Sequence, residues 1–462
     1  MYRLALFCLI LIPAVAGENL DGTWRSEGYG YVFQIDGQKL KAFQVTTRTC
    51  VDSFSANRDR TTVDGREASF RTGDGEIWFV RTGGAANRRL LHNQGSVSDI
   101  RIDRIDHLPA ACDPPTPNTP VDNFDVFAQT WAENYISFDL KHADWTAIVN
   151  RNRARVNAST TPSALFDVLE SMIEPFGDAH TSISAPALKR RFHGLRPGTD
   201  RVVRDLAGGN GIGEFQKNGV PQLLAVTDRA WIHGPLRHYC NDQVQFGYVN
   251  PHIGYLRILS FNGYTPQGGF EEGMVALERA LDEILSDSGL QALVIDVRIN
   301  FGGDDPYGIA IASRLATREY LAYTKYARAD AVNHDKWTKG DPSTVRPSSR
   351  PGFRGPVVEL TGPLTISAGE TFTQALMGRT PHVTRIGENT QGVFSDVLGR
   401  RLPNGWFFGL PNEVYRTPEG VAFDGSGIAP NISVPVFVKA DVTAGKDPAM
   451  ARALEIIGAR SQ

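Results

Sequence analysis

Apolar and polar residues alternate with a period of two over the first part of the chain. The alternation runs through 29–35, 41–46 and 76–81, and Asp-Gly and Gly-Gly pairs separate such runs. A period of two is typical of half-buried strands, and these turn pairs favour hairpins. We therefore predict a small β-rich, antiparallel module over residues 17–108.

The period changes after residues 109–120, a segment rich in proline and threonine that we interpret as a linker. Beyond it, aromatic residues from Phe124 to Tyr135 recur at spacings of three and four, and a similar apolar stripe spans 163–172. That spacing is typical of amphipathic helices. We predict that 121–184 is a helical region.

Strands and helices then alternate toward the end of the chain. Residues 185–250 give mixed signals and remain an uncertain insert, whereas 251–440 contain near-continuous apolar runs such as 292–297, separated by helical patterns. Buried strands linked by helices indicate crossovers in a parallel sheet. The predicted fold class is α/β, with a mixed, largely parallel sheet after the helical region and the β module, and a last helix in 441–462.

The N-terminus has the pattern of a secretory signal. Arg3 precedes an apolar run at 4–15, and Ala14-Val15-Ala16 is a small-x-small cleavage site. The run is too short to cross a bilayer, and no other segment approaches transmembrane length. We predict a signal over 1–16 and a periplasmic or extracellular location. The alternative is a buried N-terminal strand.

Composition excludes several classes of partner. The net charge is −3 and the pI is about 6.4, so no strong field draws the chain to nucleic acid. The chain has no Cys-x-x-Cys or His-Glu-x-x-His pattern, so we predict neither metal nor cofactor. No oligomeric state follows from the sequence.

Four cysteines are present, and Cys8 lies inside the predicted signal. Cys50 and Cys112 flank the β module, so they could form a disulfide in an oxidising compartment. Cys240 would then have no disulfide partner.

Candidate chemistry centres on Ser367. A predicted strand enters a tight turn at Ser367, and a helix begins directly after it. The amide of Ala368, at the helix start, has no intrahelical partner and could stabilise an oxyanion. The alternative is that Ser367 only caps the helix, with Glu370 completing a capping box.

A serine hydroxyl needs a base to act as a nucleophile. His180 lies in a loop just past a predicted helix. His142 and His252 are equally available by composition, so the residues alone do not select among them.

A glycine turn offers a second oxyanion donor. The strand at 292–297 leads to Gly302-Gly303, where the backbone can approach a ligand closely. The alternative is a plain strand-to-helix turn, held by an ion pair between Asp296 and Arg298.

These motifs, in this order, resemble the tail-specific, or C-terminal processing, serine protease family. That family includes the core of the tricorn protease and the repeats of interphotoreceptor retinoid-binding protein. The resemblance covers about 120–440, and it includes Asp178-Ala179-His180, Asp296-Val297-Arg298, Ser367-Ala368-Gly369-Glu370 and Gly425-Ser426-Gly427. It implies a ClpP/crotonase-like catalytic core.

By position, the resemblance implies that Ser367 is the nucleophile, with the amides of Ala368 and of Gly302 or Gly303 as the oxyanion hole. The lysine base of the processing branch would fall at Gln391-Gly392, and no lysine lies between Ser367 and Lys439. A Ser–Lys dyad is therefore absent.

The tricorn-like branch uses a histidine and an acid instead. The resemblance implies that His180 is the base and that Asp424 stands where the family has a glutamate. Glu370 matches a position near the nucleophile, whereas Ala179 replaces a serine of tricorn.

Two modules bear on substrate. The insert at 185–250 shows no Gly-Leu-Gly-Phe-like loop, so we expect no PDZ domain, as in the retinoid-binding members. Gly22-Thr23-Trp24 resembles a lipocalin-like barrel signal. The sequence thus predicts an exported serine peptidase acting on peptides or proteins. The alternatives are a degenerate binding protein on the same fold and a serine esterase.

Overall fold

A computed structural model describes residues 20–62, 65–207 and 211–460 of the protein. The predicted signal at 1–16 and Cys8 lie outside the described residues. Within them, no helix is both long enough and apolar enough to cross a membrane.

The N-terminal module is a closed antiparallel barrel. Each strand pairs with the next, and β1 pairs with β8 to close it. An eight-stranded barrel leaves an interior that side chains can largely fill. The strands are β1 Gly22–Ser26, β2 Tyr31–Asp36, β3 Lys39–Val45, β4 Cys50–Thr61, β5 Glu67–Thr72, β6 Ile77–Thr82, β7 Arg88–Asn93 and β8 Ile100–Ile105.

Trp24 anchors the barrel interior. Its side chain is fully buried, and the guanidinium groups of Arg89 and Arg104 lie 4.8 and 5.2 Å from its ring centroid. The indole N–H donates to the Leu20 carbonyl at 3.1 Å, so the buried ring leaves no unpaired donor. An up-and-down barrel of eight strands is the architecture that a lipocalin-like signal implies.

The predicted Cys50–Cys112 disulfide is present. It joins the start of β4 to a short 3-10 turn, Ala110–Cys112, in the proline-rich segment. The amide of Thr116 also donates to the Cys50 carbonyl at 3.0 Å. The segment that follows the barrel is therefore fastened to it. Cys240 is a free, buried thiol.

The predicted helical region forms three helices, namely α1 Pro120–Asn134, α2 Trp145–Arg153 and α3 Pro162–Ile173, followed by a 3-10 turn Glu174–Phe176. Aromatic rings pack where they meet. Tyr135 and Phe176 stack with centroids 5.2 Å apart, and Trp131 lies 5.7 Å from Phe176. This contact fixes the start of the loop that carries His180.

The uncertain insert is mostly helical in its described part. Strands β9 Ser182–Ala185 and β10 Arg190–His193 precede α4 Pro197–Ala207, α5 Gly211–Glu214, a π-helical turn Phe215–Gly219 and α6 Val220–Trp231. Val202 and Leu223 pack in one cluster with Ile299 and Leu364. The helices therefore cover the segments that lead to the two predicted oxyanion turns.

The rest of the chain builds the central sheet and its surroundings. The remaining strands are β11 His233–Tyr239, β12 Val244–Asn250, β13 Ile253–Ile258, β14 Ala292–Asp296, β15 Ile299–Asn300, β16 Tyr320–Ala327, β17 Asp341–Val345, β18 Val357–Thr361, β19 Leu364–Thr365, β20 Thr384–Gly387, β21 Val397–Arg401, β22 Phe407–Pro411, β23 Glu413–Arg416 and β24 Ile432–Ser433. The remaining helices are α7 Phe270–Leu285, α8 Asp305–Leu315, α9 Ala368–Leu376, α10 Lys439–Thr443 and α11 Pro448–Arg460.

The central sheet has the order β11-β12-β13-β14-β18-β20-β24. It is antiparallel from β11 to β13 and parallel from β13 to β24. Strand β14 is buried throughout. Its Leu293 packs in a cluster with α7 to α9, and Val294 packs with α11. The predicted mixed, largely parallel α/β fold with crossover helices is confirmed.

Candidate active site

Ser367 has a strained backbone at a strand-to-helix corner. It follows β19 and directly precedes α9, with φ 55° and ψ −119°. Residues with side chains rarely adopt positive φ, and such strain costs about 1–3 kcal/mol and clusters at functional sites. Nucleophilic serines of α/β-hydrolases lie on comparably sharp turns, which expose the hydroxyl. Simple capping does not require this conformation.

The glycine turn lies directly against Ser367. A Cβ added to Gly302 would lie 2.8 Å from the Ser367 Cβ and 3.3 Å from its Oγ. Any side chain at this position would therefore clash with the serine. Gly302 also has φ 80°, a backbone conformation that glycine adopts without cost.

Two backbone amides at this corner have no acceptor among the described residues. The Gly302 amide donates to Asn300 Oδ1 at 3.0 Å, whereas no such bond engages the amides of Gly303 and Ala368. Of the two predicted glycines, Gly303 is therefore the one whose amide is free. The Ala368 amide is at the N-terminus of α9, where the helix dipole favours negative charge.

His180 lies in a tight turn after the helical region. Its own amide donates to Asp178 Oδ1 at 2.9 Å, and the Tyr135 hydroxyl donates to Asp178 Oδ2 at 3.4 Å. The ring is 7% exposed, and its Nδ1 has no hydrogen-bond partner. Burial lowers the pKa of His180, partly opposed by the charges of Asp178 and Asp396. The ring is therefore neutral at neutral pH.

A short segment, 392–396, connects the two halves of the site. Glu370 in α9 accepts the amides of Gly392 at 2.6 Å and Val393 at 2.7 Å. Asp424 accepts the Phe394 amide at 3.4 Å. Asp396, at the end of the segment, acts electrostatically on His180.

Burial raises the pKa of both predicted acids. The pKa values of Glu370 and Asp424 are each raised to about 7, chiefly by desolvation. Asp424 Oδ2 is buried without a hydrogen-bond partner. Both carboxyls are therefore partly protonated near neutral pH, and Asp424 has an oxygen available for a further donor.

The structure gathers Ser367, Ala368, Gly302, Gly303 and Glu370 at one corner. Within the described residues, Asp424 is linked to that corner through the Phe394 amide, and His180 through the charge of Asp396. Among the described contacts, the His180 ring forms no hydrogen bond with Ser367 or Asp424. The roles assigned to these residues remain predictions.

A charge cluster beside His180, in which Lys325 and Glu413 are buried and Asp396 is half-exposed, was not anticipated. Lys325 Nζ lies 2.5 Å from Asp396 Oδ2 and 3.1 Å from Glu413 Oε1. The Tyr29 hydroxyl, from the barrel, donates to Glu413 Oε1 at 2.6 Å. Despite desolvation, the neighbouring carboxylates raise the pKa of Lys325, so this lysine is a fixed cation rather than a base.

Asp296 and Arg298 form the predicted ion pair, with 2.7 Å between Arg298 Nη2 and Asp296 Oδ2. Asp447, just before α11, lies 2.7 Å from Arg298 Nη1. All three side chains are buried. The two acids compensate the arginine, which a buried charge requires, and the group holds the strand that leads to the glycine turn.

Comparison with protein families fits this architecture. Residues 252–434 match the model of peptidase family S41, and residues 118–174 match the tricorn protease C1 domain. The chain carries a peptidase family S41 domain. This domain contains Ser367 and the glycine turn, and the C1-like part ends just before His180.

Two curated relatives are processing proteases. The chain is 27% identical over 190 residues to a chloroplastic C-terminal processing peptidase of Tetradesmus obliquus, covering 41% of this chain and 36% of that protein. It is 26% identical over 186 residues to a carboxy-terminal-processing protease of Bartonella bacilliformis, covering 40% and 39%. The chain thus spans about two fifths of the length of these relatives.

Solved structures share the fold of the S41 domain. A candidate peptidase from Parabacteroides merdae has a TM-score of 0.59 at 23% identity, over 74% of this chain and 97% of that one. Mature CPAF has a TM-score of 0.51 at 13% identity, over 71% and 94%. At such identities the likeness concerns the fold alone.

Proposed function

We propose that this protein is a serine peptidase in which Ser367 forms an acyl-enzyme with peptide or protein substrates. The observation that carries the proposal is the strained Ser367 between two free amides, those of Gly303 and Ala368. Amides preorganised around a nucleophile stabilise the oxyanion of an acyl transfer. The S41 domain supports a peptide rather than an ester substrate.

His180 is the proposed base. It takes the Ser367 hydroxyl proton as Oγ bonds to the scissile carbonyl carbon, and the two amides hold the oxyanion. His180 then gives that proton to the leaving amine, and water releases the acid in the second half of the cycle. Catalytic hydrogen bonds often tighten only in the substrate complex, and we expect the His180–Ser367 bond to form there.

Asp424 is the proposed orienting acid. Its unpartnered Oδ2 can accept an N–H from His180 once the ring is drawn into the site. Glu370 is proposed to position the 392–396 segment that carries the Asp424 contact. Asp396 already acts on His180 electrostatically, and is the competing candidate.

We also propose that the protein is exported, to the periplasm or the extracellular space. The pattern at 1–16 motivates this, and the Cys50–Cys112 disulfide supports it. Structural disulfides are typical of oxidising compartments and rare in reducing ones.

A fluorophosphonate probe tests the nucleophile. We expect the native protein to be labelled and Ser367→Ala to be unlabelled, with peptide cleavage reduced at least about a thousandfold. Equal labelling of both proteins would refute the assignment. A folded native protein that is never labelled would favour the binding-protein alternative, and cleavage of esters without amides would favour the esterase.

A further inference from the structure

A cavity lies between the barrel and the S41 domain. Its volume is about 410 Å³, and it contains residues of both modules. From the barrel come aromatic side chains, including Tyr31, Phe54 and Trp78. Pockets of this size accommodate small ligands or single amino-acid side chains.

The cavity reaches the candidate active site. Gly303, whose amide is a predicted oxyanion donor, lines it, and so does Asp396, whose charge acts on His180. A group bound in this cavity would therefore lie next to the carbonyl that Ser367 attacks. Neither Tyr31 nor Trp78 comes from the S41 domain, so the barrel supplies part of the wall.

Acidic side chains predominate at the wall formed by the S41 domain. Asp304, Asp305, Asp396 and Glu413 line it together with the cations Lys325, Arg400 and Arg401. Lys325 is bound to Asp396 and Glu413. Burial raises the pKa values of Asp305 and Glu413 to about 7, so at neutral pH the negative charge of this wall lies mainly on Asp304 and Asp396.

Asp396 is the most exposed member of this acidic group but is bound to Lys325, whereas Asp304 is partly buried. Among the described residues the Asp304 carboxylate has no ion pair, and it does not cap the helix that follows. Desolvation, and then the charge of Asp396, raise the pKa of Asp304 to about 6. The barrel turn at Gly95 packs on this carboxylate, since a Cβ there would lie 2.9 Å from Asp304 Oδ1.

The two arginines that line the cavity are otherwise engaged. Arg400 donates to the Tyr29 and Gly399 carbonyls, and Arg401 lies over the Phe407 ring at 3.9 Å. The barrel supplies two further acids, Asp74 and Glu76, to the same cavity. These match the two arginines in number, so the excess of acid remains.

A second observation points to a peptide. Asn412 lines the cavity and is 2% exposed, and its Nδ2 has no hydrogen-bond partner. A buried unpaired amide donor is costly, and a peptide carbonyl would satisfy it. Within the described part of the chain, no group of three or more His, Cys, Asp or Glu side chains is arranged to hold a metal.

We propose that this cavity is a substrate subsite, built jointly by the barrel and the S41 domain, that binds a cationic group of a peptide at Asp304 while Asn412 holds a peptide carbonyl. The cation is a lysine or arginine side chain or a free amino terminus. Aromatic walls favour such groups through cation–π contacts. This inference rests on the proposed peptidase function.

Binding to Ser367→Ala tests the subsite without cleavage. Blocked hexapeptides carry lysine or norleucine at each position in turn, and affinity is measured by calorimetry. We expect lysine at one position to bind about tenfold more tightly than norleucine. In Ser367→Ala/Asp304→Asn the preference should fall below about twofold, because the charge partner is lost. Equal binding of both peptides by Ser367→Ala would overturn the proposal.

Control variants separate the two contacts. Asp52→Asn removes an exposed acid on the outside of the barrel and should retain the preference. Asn412→Leu should weaken both peptides alike, and persistence of full affinity there would refute the carbonyl contact. Peptides with a free amino terminus show whether that group, rather than a side chain, is the cation. A lysine preference in a protein that cleaves nothing would refute the peptidase and leave the subsite standing.

Discussion

The carboxylate of Glu370 accepts the amide of Gly392 at 2.6 Å, which joins the helix behind the candidate nucleophile to the segment that contains Asp396 and contacts Asp424. Its other oxygen accepts the Val393 amide at 2.7 Å. Both oxygens of this buried side chain thus bind the 392–396 segment, and Oε2 also accepts the Ser367 amide at 3.4 Å. Glu370 therefore helps to place the segment, together with Lys325 and Glu413, which bind Asp396.

We expect Glu370→Gln to reduce kcat/KM by about ten- to a hundredfold, because a glutamine NH2 would face one of the two amide donors and leave it unpaired. The matched control is Glu359→Gln. Glu359 is also fully buried and accepts a hydrogen bond from Thr373 of α9 at 2.8 Å, but it does not bind the 392–396 segment. Equal losses in both variants would show that Glu370 has no specific positioning role.

Backbone strain at Ser367 should be measurable as stability. Ser367→Gly should have a free energy of unfolding about 1 kcal/mol larger than that of Ser367→Ala, because glycine tolerates φ 55°. It should therefore unfold at higher urea concentration. Ser367→Ala itself should unfold near the native midpoint. A glycine variant less stable than the alanine variant would contradict the strain inferred here.

The pH–rate profile should report the pKa of His180. Because burial lowers that pKa, the neutral base persists below pH 6.5, and the fall in kcat/KM that His180 causes should lie at more acidic pH than any fall caused by protonation of Asp424, whose pKa burial raises to about 7. Asp178→Asn removes a charge that raises the pKa, so its acid limb should move to still lower pH. An acid limb above pH 7 in the native protein, or an unchanged limb in Asp178→Asn, would count against this environment.

Glu359 gives a pH dependence of stability whose sign is fixed. Burial raises its pKa to about 7 from 4.5, so the folded state binds a proton more tightly than the unfolded chain. The contribution of protonated Glu359 to the free energy of unfolding is complete below pH 4.5 and is lost as the pH rises through about 7. The loss amounts to about 3 kcal/mol. The free energy of unfolding, measured in urea, should fall between pH 5 and 8 in both proteins. The fall should be about 2–3 kcal/mol smaller in Glu359→Gln than in the native protein. If the free energy of unfolding fell equally with pH in the two proteins, the raised pKa of Glu359 would be refuted.

Local sequence predicted those features that depend on neighbouring residues. Period-two alternation predicted an antiparallel β module, helical spacing predicted α1 and α3, and apolar runs predicted β14 and the parallel sheet. The corner at Ser367 was visible because strand, turn and helix signals are contiguous there. The resemblance to family motifs added His180 and Asp424. Their positions in the fold cannot be predicted from sequence spacing.

The charge cluster could not be predicted in the same way. Tyr29 and Glu413 are 384 residues apart, and Lys325 meets both Asp396 and Glu413 only after the barrel and the sheet have packed. Each of these residues looks like an ordinary surface charge or aromatic in its local sequence. The insert at 185–250 gave mixed signals because its helices are short and interrupted, and part of their apolar surface faces Ile299 and Leu364 rather than a core of their own.

The disulfide should contribute substantially to stability, because it closes a loop of 62 residues. The chain-entropy model gives about 4 kcal/mol for a loop of this length. We expect the free energy of unfolding of Cys50→Ser/Cys112→Ser to be smaller than that of the native protein by up to that amount. The double variant should therefore unfold at lower urea concentration. Reductant should lower the native midpoint toward that of the double variant and leave the double variant unaffected. If reductant shifted both proteins equally, the effect would have to come from another source, and the bond between β4 and the proline-rich segment would not stabilise the barrel.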